Sequence, residues 1–343
     1  MKTKRQNTGP DTLEKALDAF RKITHLKATI HQARNGADVE FHLGEEDKER
    51  VFTVDVKENL TRTLVGVIHH QRLLNRQQED RILVTTYANP QLADLMKKNE
   101  IDFIDTAGNT YINKPPLFIF IKGNRLPKED RVRPVTRAFR PTGLQVIFAL
   151  LCNKGLENTT YREIAGKAGV ALGTVDWVFR DLRQMGYLTE MGKRGRRLND
   201  KYNLFFRWVN AYSEELKPKK LIGKYRTETF GWWEDAKLEE YQAYWGGEVA
   251  ATILTAYLKP EKITIYTSRP LGDLMLRHKL RKDPKGNIEI FDVFWKFNYE
   301  WKYNNIVPPI LIYADLLATG DKRNIETAGM IYEQNINQLI RED

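Results

Sequence analysis

The sequence predicts a multi-domain α/β protein: two mixed α/β parts separated by a central winged helix-turn-helix. Three observations lead there. At 343 residues the chain is too long for one small domain, and 41% hydrophobic with 29% charged residues supports a real core. Segments of period two alternate with segments of period 3.6 in the first and last thirds, the signature of mixed α/β sheets. Between them, YREIAGKAGVALGTVDWVFRDLRQMGYL reads as two helices, a short turn and the start of a strand.

In chain order, residues 11–24 are expected to form an amphipathic helix capped by Asp11 or Thr12, with Leu13, Ala16, Leu17 and Phe20 apolar. Alternation over 37–43 and 51–57, parted by a charged turn at 45–49, predicts two strands. A helix near 60–74, a buried strand over 81–87, a helix opened by Asn89-Pro90, and strands near 101–105, 111–113 and 117–122 complete a mixed sheet domain over residues 1–125. The turn Asp105–Asn109 reads as structural, with Gly108 and Asn109 tolerating positive φ in a hairpin.

Asp55-Val56-Lys57 ends one of these strands, and the strand before it carries Asp38 and Glu40. This order resembles the restriction-endonuclease-like nucleases, built on an Asp followed by (Asp/Glu)-x-Lys on the next strand. The chemistry needs two carboxylates on neighbouring strands for Mg2+, here Asp38 or Glu40 with Asp55, and a lysine, Lys57, to assist the water. Alternation puts Asp55 and Lys57 on one face. Glu14 is the candidate for the outlying acid of that superfamily. A charged strand also yields Asp-x-Lys as a plain ion pair on a solvent face, so metal-dependent cleavage stands as the alternative function. Mg2+ is expected only with that alternative, and no other cofactor is expected.

The central module spans residues 126–217. Pro141–Leu151 supplies a first helix. In the second, Ile164 and Ala165 are apolar, and Gly169 ends it where a left-handed residue is wanted. In the third, Val175, Val178, Phe179 and Leu182 follow the i, i+3, i+4, i+7 spacing of one buried face. The opposite face shows Thr174, Trp177, Arg180 and Arg183, groups able to reach base edges and phosphates of double-stranded DNA. A wing follows, with Lys193, Arg194, Arg196 and Arg197 set between glycines, suited to a phosphate backbone. The net charge of +10 and the basic stretches 122–140 and 193–226 agree with a polyanionic partner.

Residues 218–343 predict a second α/β domain. A helix over 202–216 leaves the wing and ends before Pro218; helices follow near 248–257, 271–280 and 321–338, with strands at 263–267 and 288–294. No cysteine-based metal cluster is possible with Cys152 alone, which is expected to be a small buried hydrophobe. The tryptophans Trp232, Trp233, Trp245, Trp295 and Trp301 suit either a core or a protein interface. Neither a signal peptide nor a membrane-span-length apolar run is legible, which predicts a cytosolic protein.

The succession PTGLQVIFALL, TTYREIAGKAGVALGTVDWVFRDLRQMGYL, RWVNAYSEEL, YWGGEVAATILTAYLKP and VPPILIYADLLATGDKRNIETA is similar to a bacterial family of regulators grouped with the antitoxins of type IV toxin–antitoxin (abortive infection, AbiEi-like) systems. ILVTTYANPQLADLMKKNEIDFIDTAGNTYI extends the likeness, to cover roughly residues 50–335. The resemblance implies a DNA-binding repressor of its own operon and a nucleotidyltransferase-like toxin as functional partner. Here the winged helix sits mid-chain, whereas the better-known antitoxins begin with it. Two-fold operators make a homodimer the expected DNA-bound state.

Overall fold

A seven-stranded sheet organises the first of two units, Met1–Arg133. The computed structural model describes residues 8–32, 39–44, 49–74, 80–126, 136–299 and 301–341. Helix α1 (Thr8–Thr24) begins earlier than expected, so Asp11 lies within its first turn and neither it nor Thr12 caps it. The strands β1 (Ala28–Gln32), β2 (Val39–Leu43) and β3 (Arg50–Val56) form an antiparallel meander. After α2 (Arg62–Leu74), β4 (Arg81–Thr85) pairs parallel to β3. After α3 (Pro90–Lys98), β5 (Phe103–Asp105) pairs parallel to β4, and β6 (Thr110–Lys114) and β7 (Leu117–Ile121) close the sheet antiparallel. Strand β1 was not expected; ATIHQ is short, and its pattern is set by pairing with β2 rather than by its own composition.

The sheet separates two cores. Leu13, Ala16, Leu17 and Phe20 of α1 pack on Phe41, Phe52, Ile82 and Val84, while Val65, Ile68, Met96, Leu83 and Phe103 form the core on the other face with α2 and α3. In the turn Asp105–Asn109, Gly108 takes φ +81°, and the Asn109 side chain donates to Asp105 Oδ2 at 2.7 Å.

The second unit, Pro134–Asp343, starts with α4 (Pro141–Cys152), α5 (Tyr161–Ala168) and α6 (Leu172–Gln184). A two-stranded hairpin, β8 (Leu188–Glu190) and β9 (Arg196–Leu198), leads to α7 (Lys201–Ala211). The helix does not stop before Pro218: it passes through a π-helical turn, Tyr212–Leu216, into α8 (Lys217–Lys220). Next come β10 (Leu221–Arg226), β11 (Ala243–Gly246), α9 (Gly247–Thr255), β12 (Ile263–Thr267), α10 (Gly272–Arg277), β13 (Arg281–Lys282), β14 (Ile288–Asp292), α11 (Pro309–Leu317) and α12 (Lys322–Ile331). A π-turn at Tyr332–Ile336 and α13 (Asn337–Ile340) end it. The sheet order is β11-β12-β14-β10-β13, with β12 and β14 parallel and the other pairs antiparallel.

Helices and sheet share one core here. Phe148 of α4 stacks on Trp208 of α7 and meets Phe294, Trp295 and Phe297, which follow β14. The Gln145 amide donates both to the Ala168 carbonyl, ending α5, and to the Phe294 carbonyl. A cut at 217/218 would therefore divide a continuous helix and a common core. Trp232, Trp245, Trp295 and Cys152 are buried, so most of the aromatic surplus is core rather than interface. Among the described residues, no helix is long and apolar enough to cross a membrane.

Candidate nucleic-acid interface

Local chemistry sets the two helices that flank the turn. Thr160 caps α5 by accepting from the Glu163 amide at 3.2 Å, and Gly169 ends the helix at φ +66°. Val175, Val178, Phe179 and Leu182 are fully buried, which fixes the rotation of α6 and turns Thr174, Trp177 and Arg180 outward. The end of α6 is closed by Gly186 at φ +82°, and the Asp181 carboxylate accepts from the Ala138 amide at 3.0 Å.

On the outward face, Arg180 is 65% exposed and pairs with Asp176, one turn earlier, at 2.6 Å. The pair holds the guanidinium along the helix instead of leaving it to sweep through solvent. Arg183 reaches Glu190 on β8, so it lies between helix and wing. Lys193 and Arg194 are exposed on the tip, and Arg197 is exposed on β9 opposite Thr189.

Arg196 is placed differently. Its backbone amide donates to Asn158 Oδ1 at 2.6 Å, its guanidinium donates to the Thr159 carbonyl at 2.6 Å, and that group lies 5.1 and 5.2 Å from the Tyr161 and Phe179 ring centres. It anchors the wing to the start of α5. Gly195 is required beside it: at φ +83°, an added Cβ would fall 2.3 Å from Asn158 Oδ1. Asn158 was not anticipated from sequence. The signal available was only a polar residue shortly before a helix cap, which is too common to select it.

In the first unit, Val54 and Val56 pack with α1, so Asp55 and Lys57 point to the other side of the sheet, their charges 3.1 Å apart. Glu40 on β2 is opposite Thr53 and approaches His42 at 3.3 Å, with Glu49 on the far nitrogen of that ring at 3.1 Å. Glu14 is exposed on α1, whose buried stripe covers the face opposite Asp55. Asp38, like residues 127–135 of the basic stretch before α4, lies outside the described residues. Among the described residues, no group of three His, Cys, Asp or Glu side chains is placed to hold a metal ion.

Residues 197–337 match the family model described as a transcriptional regulator, AbiEi antitoxin of a type IV toxin–antitoxin system. The match runs from β9 into α13; α4 to α6 and the whole first unit precede it. No curated protein and no solved structure matches the chain.

Proposed function

We propose, with that family match as the premise, that this protein is a sequence-specific DNA-binding repressor of its own operon and the antitoxin of a type IV pair. The observation that carries the DNA reading is the outward face of α6 set beside a cation-bearing wing. α4 to α6 with the β8–β9 hairpin follow the order of a winged helix-turn-helix, α6 being the helix for the major groove. Thr174, Trp177 and Arg180 read bases or adjacent phosphates, Arg183 spans helix and wing, and Lys193, Arg194 and Arg197 supply phosphate contacts. Arg196 contributes by holding the wing in place. The functional partner is a nucleotidyltransferase-like toxin, and the DNA-bound form is a homodimer on a two-fold site.

The test is a salt titration of duplex binding. Replacing Lys193, Arg194 and Arg197 together by Ala is expected to weaken binding to every duplex. The slope of log K against log salt should become shallower by about 0.9 for each phosphate the variant no longer neutralises. An unchanged slope would remove the wing from the interface. Truncation after residue 217 is not a suitable test, since it strips Phe294, Trp295 and Phe297 from Phe148.

A second reading attaches to the first unit. Asp55 on β3 and Lys57 just after it lie 3.1 Å apart, and the neighbouring β2 carries Glu40 opposite Thr53, the strand order of the restriction-endonuclease-like pattern. This favours a metal-dependent nuclease targeted by the wing. Incubation of supercoiled DNA with Mg2+ or Mn2+ decides it: cleavage that vanishes in Asp55→Ala supports this reading, and intact DNA with the wild type ends it.

A further inference from the structure

A cleft of about 240 Å³ in the second unit lies far in sequence from the DNA-reading helices, and its walls include Lys217, Gly247, Lys262, Thr264, Glu289 and Asp315. Asp315 lies on α11, a helix otherwise made of buried apolar residues, and is itself only 3% exposed. Its carboxylate accepts from Lys217 Nζ at 2.7 Å and from the Tyr266 hydroxyl at 3.0 and 2.9 Å, with the Tyr212 hydroxyl at 3.4 Å. Replacing a buried ion pair by well-packed apolar side chains is often neutral or stabilising, so stability alone is weak grounds for placing one here.

The backbone is distorted to make this arrangement. Tyr212 and Lys217 are five residues apart, which on a regular α-helix turns them about 140° away from each other. The π-turn Tyr212–Leu216 widens the helix there and brings both onto one carboxylate. Such turns concentrate at functional sites. Gly247 of the cleft wall and Gly246 before it admit no side chain. A Cβ on Gly246 would lie 2.5 Å from the Tyr266 ring and 3.2 Å from Asp315 Oδ2, and one on Gly247, at φ +49°, would lie 2.8 Å from Thr264 Oγ1.

Donor and acceptor accounting gives the ligand class. The carboxylates are served from within: Asp315 as described, Glu289 by Lys224 at 2.6 Å, and Glu248 by the Glu261 and Lys262 amides at 2.6 and 3.1 Å and by Asn324 at 2.9 Å. Burial pushes the Glu289 carboxyl up, but the Lys224 hydrogen bond and the charges of Lys217, Lys224 and Lys262 outweigh it and hold it below the usual carboxylate range. On the donor side, Lys217 has three N–H groups and one is committed to Asp315. The Lys262 ammonium makes no side-chain hydrogen bond or ion pair among the described residues. The donors left facing the cleft are two Lys217 N–H groups and the Lys262 ammonium. At about 30 Å³ per water, the space holds roughly eight waters or a body of that size.

We propose that this cleft binds a small molecule through an oxyanion, phosphate or carboxylate, seated between Lys217 and Lys262. Phosphate-borne and carboxylate-borne ligands share that chemistry. The test uses the full chain without DNA, so it stands whether or not the DNA reading holds. Binding of inorganic phosphate and, separately, of acetate is followed by titration calorimetry at constant ionic strength. Saturable one-to-one binding of either is expected, and the tighter of the two names the source. Lys262→Gln, an exposed position, should weaken it about tenfold, the worth of one charge-assisted hydrogen bond. The Lys193, Arg194 and Arg197 to Ala variant should leave it within twofold. Absence of saturable binding of both anions overturns the proposal. So does a Lys262→Gln chain that binds as tightly as wild type, or loss of binding in the wing variant instead.

Discussion

Trp208→Ala should destabilise the second unit by about 3–5 kcal/mol, the range for removing a large buried aromatic. The Trp208 ring is fully buried and stacked between Phe148, at 5.2 Å and 19°, and Tyr212, at 5.0 Å and 16°. Its indole N–H donates to the Leu144 carbonyl at 2.9 Å. Truncation leaves a cavity under α4, the helix that supports α5 and α6, and removes the second hydrogen bond to that carbonyl, which keeps its helical partner. At roughly 2–4 °C per kcal/mol for a unit of this size, the melting point should fall by about 10 °C. All seven tryptophans lie beyond residue 176, so their fluorescence follows this unit alone. Well below the new melting point, the DNA affinity proposed for α6 should match wild type, because Trp208 is fully buried and does not reach the outward face. A melting point within 2 °C of wild type would contradict the shared core.

Asp105→Ala should cost the first unit about 4 kcal/mol. The buried Asp105 carboxylate accepts from the amides of Ala88 at 2.8 Å, Ala107 at 2.9 Å and Asn109 at 2.8 Å, and from Asn109 Nδ2 at 2.7 Å. Removing it leaves the Ala88, Ala107 and Asn109 amides without an acceptor, while Asn109 Nδ2 keeps the Asn124 carbonyl at 3.2 Å, and each unsatisfied buried group costs roughly 1–3 kcal/mol before relaxation. Burial pushes the Asp105 carboxyl up, and the same four hydrogen bonds oppose that shift. Asp105→Asn keeps one acceptor oxygen and turns an amide N–H2 toward a donor, so it should fall between the two. Urea unfolding followed by far-UV circular dichroism reads the loss. Tryptophan fluorescence should leave the second unit's midpoint where it was, and a shift there instead would place the damage in the wrong unit.

The helices were the most legible parts of the fold. Val175, Val178, Phe179 and Leu182 lie within eight residues, so periodicity alone identified the buried face of α6 and, by difference, the face that carries Thr174, Trp177 and Arg180. Gly169 and Gly186 were legible as helix ends because a left-handed residue is a local requirement. The strands β10, β11 and β13 were not. LIGKYR carries a glycine and a register shift between Leu221 and Gly223, and RK is two residues long, so neither shows an alternating pattern. Those strands exist because β14 and β12 offer edges to pair with.

The same boundary separates the roles of the charged residues. Sequence by itself determined that this chain carries α/β elements, a cation-rich hairpin and a polar helix face, since each depends on neighbours within a few positions. Tertiary structure decided which cations remain at the surface and which are committed. Arg196 reads in sequence like Lys193 or Arg194, yet its partner carbonyl on Thr159 is 37 residues away. Lys217 reads as the end of a basic helix, yet it neutralises Asp315 across 98 residues. Asp105 reads as a turn residue and turns out to be a buried acceptor for four hydrogen bonds. A charge taken out of water needs a partner wherever the chain can bring one, and only the folded chain specifies where that is.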